Sequence, residues 1–260
     1  MNRLPSWTVA VALAATAAAA ACSLLPPRTA AEIVARSVEA HGGDKLAGWQ
    51  TLTLTGTVEM QDGITYNAAY LVQAKPPGQI RVEQDLTADR GRAFYEYFLN
   101  HGVAWSRRNL VPGRADVKRL QRWMNQCYGI AYYAGHAKSM SLKPDGAVEW
   151  KTRDGGEGAP WKVVDATPAW VVSVTTDDGT TADLFIDKKS FYLLQESTPD
   201  GRRLFRDFTA FEGVVWPTRI LEITRSQKAE VYTPYAYTDV KYNRPIEDWV
   251  FAEDMPAKGK

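Results

Sequence analysis

The sequence predicts a mainly β protein: a strongly curved antiparallel sheet, an incomplete β-barrel, with few helices covering its concave face. Three observations predict it. From Leu52 onward, apolar and polar residues alternate in one short run after another, the period of a half-buried strand. Clusters of Asn, Asp, Gly and Pro separate these runs, so consecutive strands pair antiparallel through short turns. Only two stretches carry the 3/4 spacing of a helix with one buried face. Ten or more strands in one sheet must curl or close, and the space between such a sheet and its helices suits a bulky apolar ligand.

The chain opens differently. Arg3 precedes an apolar run from Trp7 to Ala21, and Ala19 and Ala21 give the small-x-small pattern of a cleavage site. A membrane span needs about 20 residues. This run is shorter and rich in Ala, so residues 1–21 read as a secretory signal rather than a retained anchor. Cys22 follows at once, and a cysteine immediately after the cut suggests a bacterial lipoprotein acylated on that thiol. Ala19 stands where such signals usually carry Leu, which keeps plain secretion to the periplasm open. Ser23 does not resemble the Asp of inner-membrane retention, which favours the outer membrane. Residues 22–28 then form a lipidated cysteine and a short Pro-containing spacer, residues 29–256 one domain, and residues 257–260 a tail.

Within the domain, Thr29 and Glu32 fit a capping box at the start of a helix carrying Ile33, Val34, Val38 and His41 on one face; Gly42-Gly43 ends it. Leu52, Leu54, Val58 and Met60 then share one face of a strand. A turn at Gln61-Asp62-Gly63 leads to a strand from Ile64 to Lys75, and Ile80 to Leu86 alternates again. Phe94 to Leu99 and Val103 to Arg107 flank a turn at Asn100-His101-Gly102. From Ala115 to Gly135 the pattern is helical, with Leu120, Trp123, Met124, Cys127 and Ile130 on one face. Strands resume at Val148–Thr152, Trp161–Asp165, Trp170–Thr175, Thr181–Ile186, Tyr192–Glu196, Arg203–Phe211, Val215–Thr224 and Glu230–Tyr242.

Charge and composition narrow the function. The chain holds 31 basic and 30 acidic residues, and the signal removes one base, Arg3. The mature part is neutral, which argues against nucleic acid and against a basic patch for anionic headgroups. Apolar residues make up 45%, enough for a proper core. With Cys22 acylated, Cys127 has no disulfide partner and reads as a buried apolar residue. His41, His101 and His136 show no metal-ligand spacing, and no nucleophile elbow or nucleotide-binding loop is present. Asp177-Asp178-Gly179 reads as a turn rather than a calcium loop. No catalytic residue, metal or cofactor is therefore expected.

Several short motifs, in order, carry a resemblance. Ala40-His41-Gly42-Gly43, Trp49 and Thr55-Gly56-Thr57 begin it. Phe185-Ile186-Asp187, Leu194-Gln195-Glu196, Phe211-Glu212-Gly213-Val214 and Trp216-Pro217-Thr218 continue it, and Asp239-Val240-Lys241-Tyr242-Asn243 with Pro245-Ile246-Glu247-Asp248 ends it. Over residues 29–256 this resembles the LolA/LolB-like family of outer-membrane lipoprotein-sorting proteins. The resemblance implies an incomplete barrel with a helical lid over a hydrophobic cavity that binds acyl chains of lipoproteins or another lipid. It implies no enzyme activity. The carrier of that family is soluble and its receptor is a lipoprotein, so Cys22 is similar to the receptor arrangement: an outer-membrane lipoprotein facing the periplasm and attached through its acylated cysteine. A monomer is expected.

Eight of nine tryptophans lie beyond the signal. The expected lipid wall comprises Trp123, Met124 and Tyr128 on the lid helix with Leu54, Val58, Tyr70 and Phe94 on the sheet; Met adapts well to varied chains. Each buried CH₂ is worth about 0.8 kcal/mol, so transfer needs only a difference in burial between two compartments. The alternative is an envelope regulatory or scaffold protein that uses the same fold to bind a partner protein.

Overall fold

A computed structural model describes residues 27, 29–61, 65–86, 93–153, 159–225 and 230–252. The signal, Cys22, the turn at residues 62–64 and the tail at 257–260 lie outside the described residues.

Among the described residues thirteen antiparallel strands form one sheet: β1 (Leu52–Gln61), β2 (Thr65–Lys75), β3 (Gln79–Asp85), β4 (Phe94–Asn100), β5 (Val103–Arg108), β6 (Val111–Arg114), β7 (Ala137–Thr152), β8 (Lys162–Thr176), β9 (Thr181–Asp187), β10 (Leu193–Thr198), β11 (Gly201–Phe211), β12 (Val214–Arg225) and β13 (Glu230–Tyr242). Their order across the sheet is β6-β5-β4-β3-β2-β1-β13-β12-β11-β10-β9-β8-β7, and it does not close. Two meanders are thus joined where β1 meets β13. At that join the register shifts between Thr55 and Gly56. A Cβ on Gly56 would lie 2.1 Å from the Ala236 carbonyl oxygen, so the strand crossing there requires glycine.

Four α-helices complete the described fold: α1 (Ala30–His41), α2 (Asp44–Ala47), α3 (Val117–Gln126) and α4 (Ile130–His136), with a 3-10 turn at Asp248–Phe251. The capping box at Thr29 and Glu32 forms, and Gly42 and Gly43 both take positive φ at the end of α1. The stretch from Ala115 to Gly135, read from its spacing as one helix, is two. Gly129 breaks it, with φ 54°, a conformation costly for any residue with a Cβ. Helix α4 runs on past Gly135 to His136. The short runs expected at Val148–Thr152, Trp161–Asp165 and Trp170–Thr175 belong to two long strands, β7 and β8. The register shift between Lys143 and Gly146, opposite Ala169 and Val171, interrupts the alternation where the expected runs part.

Strands β6 and β7 lie at opposite edges of the sheet, and α3 and α4 are the chain between them. The two helices therefore cross the concave face from edge to edge. Helix α1 packs against α4 and against β7, β8 and β12. The main core lies between sheet and helices and includes Ile33, Leu52, Leu54, Ile80, Leu120 and Leu184.

A smaller core lies on the outer face. Beyond its pairing with β9, which ends at Ala169 and Asp187, the β7–β8 hairpin folds back across β11–β13. Val148 packs there with Leu204, Leu221 and Ile223. Trp161 stacks on Tyr232 at 4.8 Å, and Arg153 forms an ion pair with Glu59 on β1.

Candidate functional site

The concave face is built by alternation. Leu54 on β1, Tyr70 and Val72 on β2, and Ile80 and Val82 on β3 share one side of the sheet and line a cavity beneath α3. Trp123, Gln126 and Cys127 form its roof. Trp216, Tyr235 and Tyr237 form a second wall from β12 and β13. The cavity holds about 30 Å³. That is room for a few waters at most, so the protein's own side chains fill most of the interior.

Its floor is polar, which alternation alone does not announce. Arg203 on β11 lies between Glu196 on β10, at 3.9 Å, and Glu222 on β12. Burial alone would lower the Arg203 pKa; Glu196 and Glu222 outweigh it and hold the guanidinium charged. Tyr235 donates a 2.9 Å hydrogen bond to Glu222. Its ring lies 5.3 Å from that of Tyr70, and burial pushes both phenols well above their ordinary range. The indole N–H of Trp216 is buried and has no hydrogen-bond partner among the described residues.

The residues expected to form the lipid wall are distributed unevenly. Leu54, Tyr70 and Trp123 line this one cavity. Met124 and Val58 are fully buried core residues beside it. Tyr128 packs on Trp49 at 4.7 Å, in the break between α3 and α4. Phe94 lies on the opposite face of the sheet, because Tyr95, Tyr97 and Leu99 of the same strand pair with residues of the concave side. Cys127, already on the buried face of the helical pattern, joins Arg203, Trp216, Glu222 and Tyr237, which no local spacing marks because three strands, β11 to β13, bring them together.

Two features govern access. On the solvent side of α3 and α4, a cleft of about 610 Å³ runs between these helices and the β8–β9 and β10–β11 turns. Gln126 lines both this cleft and the inner cavity and so stands between them. Helix α4 is held by Tyr132, which donates to Asp178 at 2.7 Å, and by Tyr133, which hydrogen-bonds Glu196. Helix α3 is held by the Trp123 ring, edge-on to Tyr97 at 5.6 Å, and by an exposed Arg122–Asp200 pair at 2.8 Å. Among the described residues no group of three His, Cys, Asp or Glu could hold a metal, and no helix is long and apolar enough to cross a membrane.

No protein-family model matches the sequence, and no curated protein matches it. Solved structures do match the fold. A LolA superfamily protein from Nitrosomonas europaea superposes with a TM-score of 0.55 at 17% identity, covering 88% of this chain and 99% of that one. A DUF1329 family protein from Desulfovibrio piger gives 0.54 at 11% identity, covering 85% and 96%. The open sheet, the helices across its concave face and the interior between them are thus those of a LolA-like fold.

Proposed function

We propose that this chain is an envelope lipoprotein that binds acyl chains, of lipoproteins or another lipid, between its sheet and its helices. It acts in lipoprotein sorting or lipid transfer at the outer membrane, held there through acylated Cys22 and facing the periplasm. No covalent chemistry is required, only burial of CH₂ groups at about 0.8 kcal/mol each.

The observation that supports this reading best is the topology of the roof. Helices α3 and α4 bridge the two free edges of the sheet without pairing to any strand. They can part from the concave face while every strand pair stays intact. The small cavity of about 30 Å³ is then the empty form, and an acyl chain takes the place of Trp123 and Gln126 above Leu54, Tyr70 and Val72. The unpaired indole N–H of Trp216 offers a donor to a lipid ester carbonyl.

Gentle isolation from membranes followed by mass spectrometry tests this. Acyl lipid at near-stoichiometric amounts is the expected result. A single stoichiometric protein partner with no lipid retained, together with no uptake of a fluorescent fatty acid, would overturn it in favour of a scaffold role.

A further inference from the structure

The neutral overall charge conceals a local imbalance. Between Arg108 and Gln126 the chain carries five basic residues, Arg108, Arg114, Lys118, Arg119 and Arg122, against one acid, Asp116. All five are exposed, and Asp116 is engaged as the N-cap of α3. Across the cleft beside α3, Asp200 pairs with Arg122, Asp178 accepts from Tyr132, and Glu196 faces Arg203. The same segment exposes apolar side chains at the tip of the β5–β6 hairpin: Leu110 is 72% and Val111 67% accessible, with Val117 close behind at 42%. Asn109 and Leu110 both take left-handed backbone, so the tip is a tight turn that presents these side chains outward. Tyrosine and tryptophan rings sit just inside. Arg108 lies over Tyr95 at 5.2 Å, and Arg119 lies over Trp123 at 4.6 Å.

An apolar tip, a ring of cations on flexible stems and a layer of Tyr and Trp behind them match the composition of a membrane interface. A protein partner of ordinary stability would want a larger, flatter apolar area than three side chains supply. The geometry points to this edge, the β5–β6 hairpin with the exposed face of α3, as a docking surface for an anionic phospholipid bilayer. Docked this way, the roof of the cavity lies against the membrane. This contact is separate from the Cys22 anchor and does not depend on acyl chains being bound.

The test uses the mature chain carrying Cys22→Ser, so that no lipid anchor contributes. Cosedimentation compares vesicles of phosphatidylglycerol mixed with phosphatidylethanolamine against phosphatidylcholine alone. Binding to the anionic vesicles is expected, with loss as salt rises. Lys118→Glu with Arg119→Glu should weaken it at least tenfold, at about fivefold for each cation removed. Leu110→Asp with Val111→Asp should weaken it similarly, whereas Val163→Asp with Val164→Asp, on the exposed part of β8, should not. A polarity-sensitive dye on Leu110→Cys should shift to the blue on anionic vesicles, and one on Val163→Cys should not. Equal binding to both vesicle types, or patch variants that bind like the parent, would overturn the proposal. So would capture of a protein partner through this edge with no vesicle binding.

Discussion

The phenol of Tyr132 donates a 2.7 Å hydrogen bond to Asp178, tying helix α4 to the turn between β8 and β9. Asp178 is well prepared for it. The Thr176 hydroxyl and the Thr180 N–H also donate to this carboxylate, which sits well below the usual carboxylate range. Burial and the Asp178 bond push Tyr132 up to about 12. The tie is therefore neutral phenol to ionised carboxylate at physiological pH. Its contribution is present above the ordinary carboxylate pKa of about 3.9 and is lost as pH falls through the lowered value.

Replacing Tyr132 by Phe should cost about 1 kcal/mol, a charged hydrogen bond discounted for the exposure of Asp178. Amide exchange should accelerate across Ile130–His136 while β1 to β3 keep their protection. Uniform acceleration through the sheet would show that the tie holds the whole fold rather than the roof.

Cys127 tests whether the roof opens. Its thiol is buried beneath α3 within 3.3 Å of the Trp123 carbonyl, and burial pushes its pKa up to about 12. In a Cys22→Ser background it should react with thiol reagents at least a hundredfold more slowly than a free thiol at neutral pH. The rate should rise in the Tyr132→Phe variant. Labelling as fast as an exposed cysteine would contradict a closed roof.

Gln126 stands between the outer cleft and the inner cavity, so shortening it should open a path. Gln126→Ala should speed uptake of a fluorescent fatty acid several-fold with little loss of stability, because the residue is only half-buried. Slower uptake would place the route elsewhere.

His41 gives a prediction in pH. Its Nδ1 lies 2.9 Å from the Val215 carbonyl, and its Nε2 accepts from the Leu193 N–H at 3.0 Å. The neutral ring satisfies both, whereas protonation would set two donors against each other at Nε2. Burial lowers the pKa, and the Val215 bond offsets this only in part. The unfolded chain therefore takes up the proton first. Stability is full above about pH 6.5 and falls as pH drops below it toward the lowered folded value. Thermal melts between pH 7.5 and 5 should show this slope, and His41→Gln should flatten it while costing about 1–3 kcal/mol throughout.

Cys22→Ser should move the protein from the membrane to the soluble fraction once the membranes are washed at high salt. Retention after that wash would refute attachment through an acylated cysteine.

Much of this was legible in the sequence. The capping box at Thr29, the tight turn at His101-Gly102 and the turn at Asp177–Gly179 each rest on local chemistry, and each forms. The face of β4 was not legible: Phe94, Tyr95, Tyr97 and Phe98 put aromatics at both parities, so alternation cannot choose which side meets the roof. Cys127 and Ile130 keep helical spacing across the break at Gly129, so periodicity passed over it. The Arg203 floor depends on Glu196 and Glu222 arriving from neighbouring strands, a pairing fixed only by register.

The β7–β8 arm gives the molecule a stiff side and a compliant side. It reaches over the outer surface of β11–β13 and is fastened to β1 through Arg153 and Glu59. Strands β7 to β13 and β1 are thereby splinted into one plate. Strands β2 to β4 carry a lighter brace: the 3-10 turn at Asp248–Phe251 packs on β3 and β4, and Asp248 pairs with Lys75 on β2. Among the described residues β5 and β6 lie beyond both braces, so widening of the mouth between β6 and β7 is easiest at that end, the end that bears Leu110 and the cations. A membrane pulling there would act at the end of the longer lever, where the least force spreads the sheet.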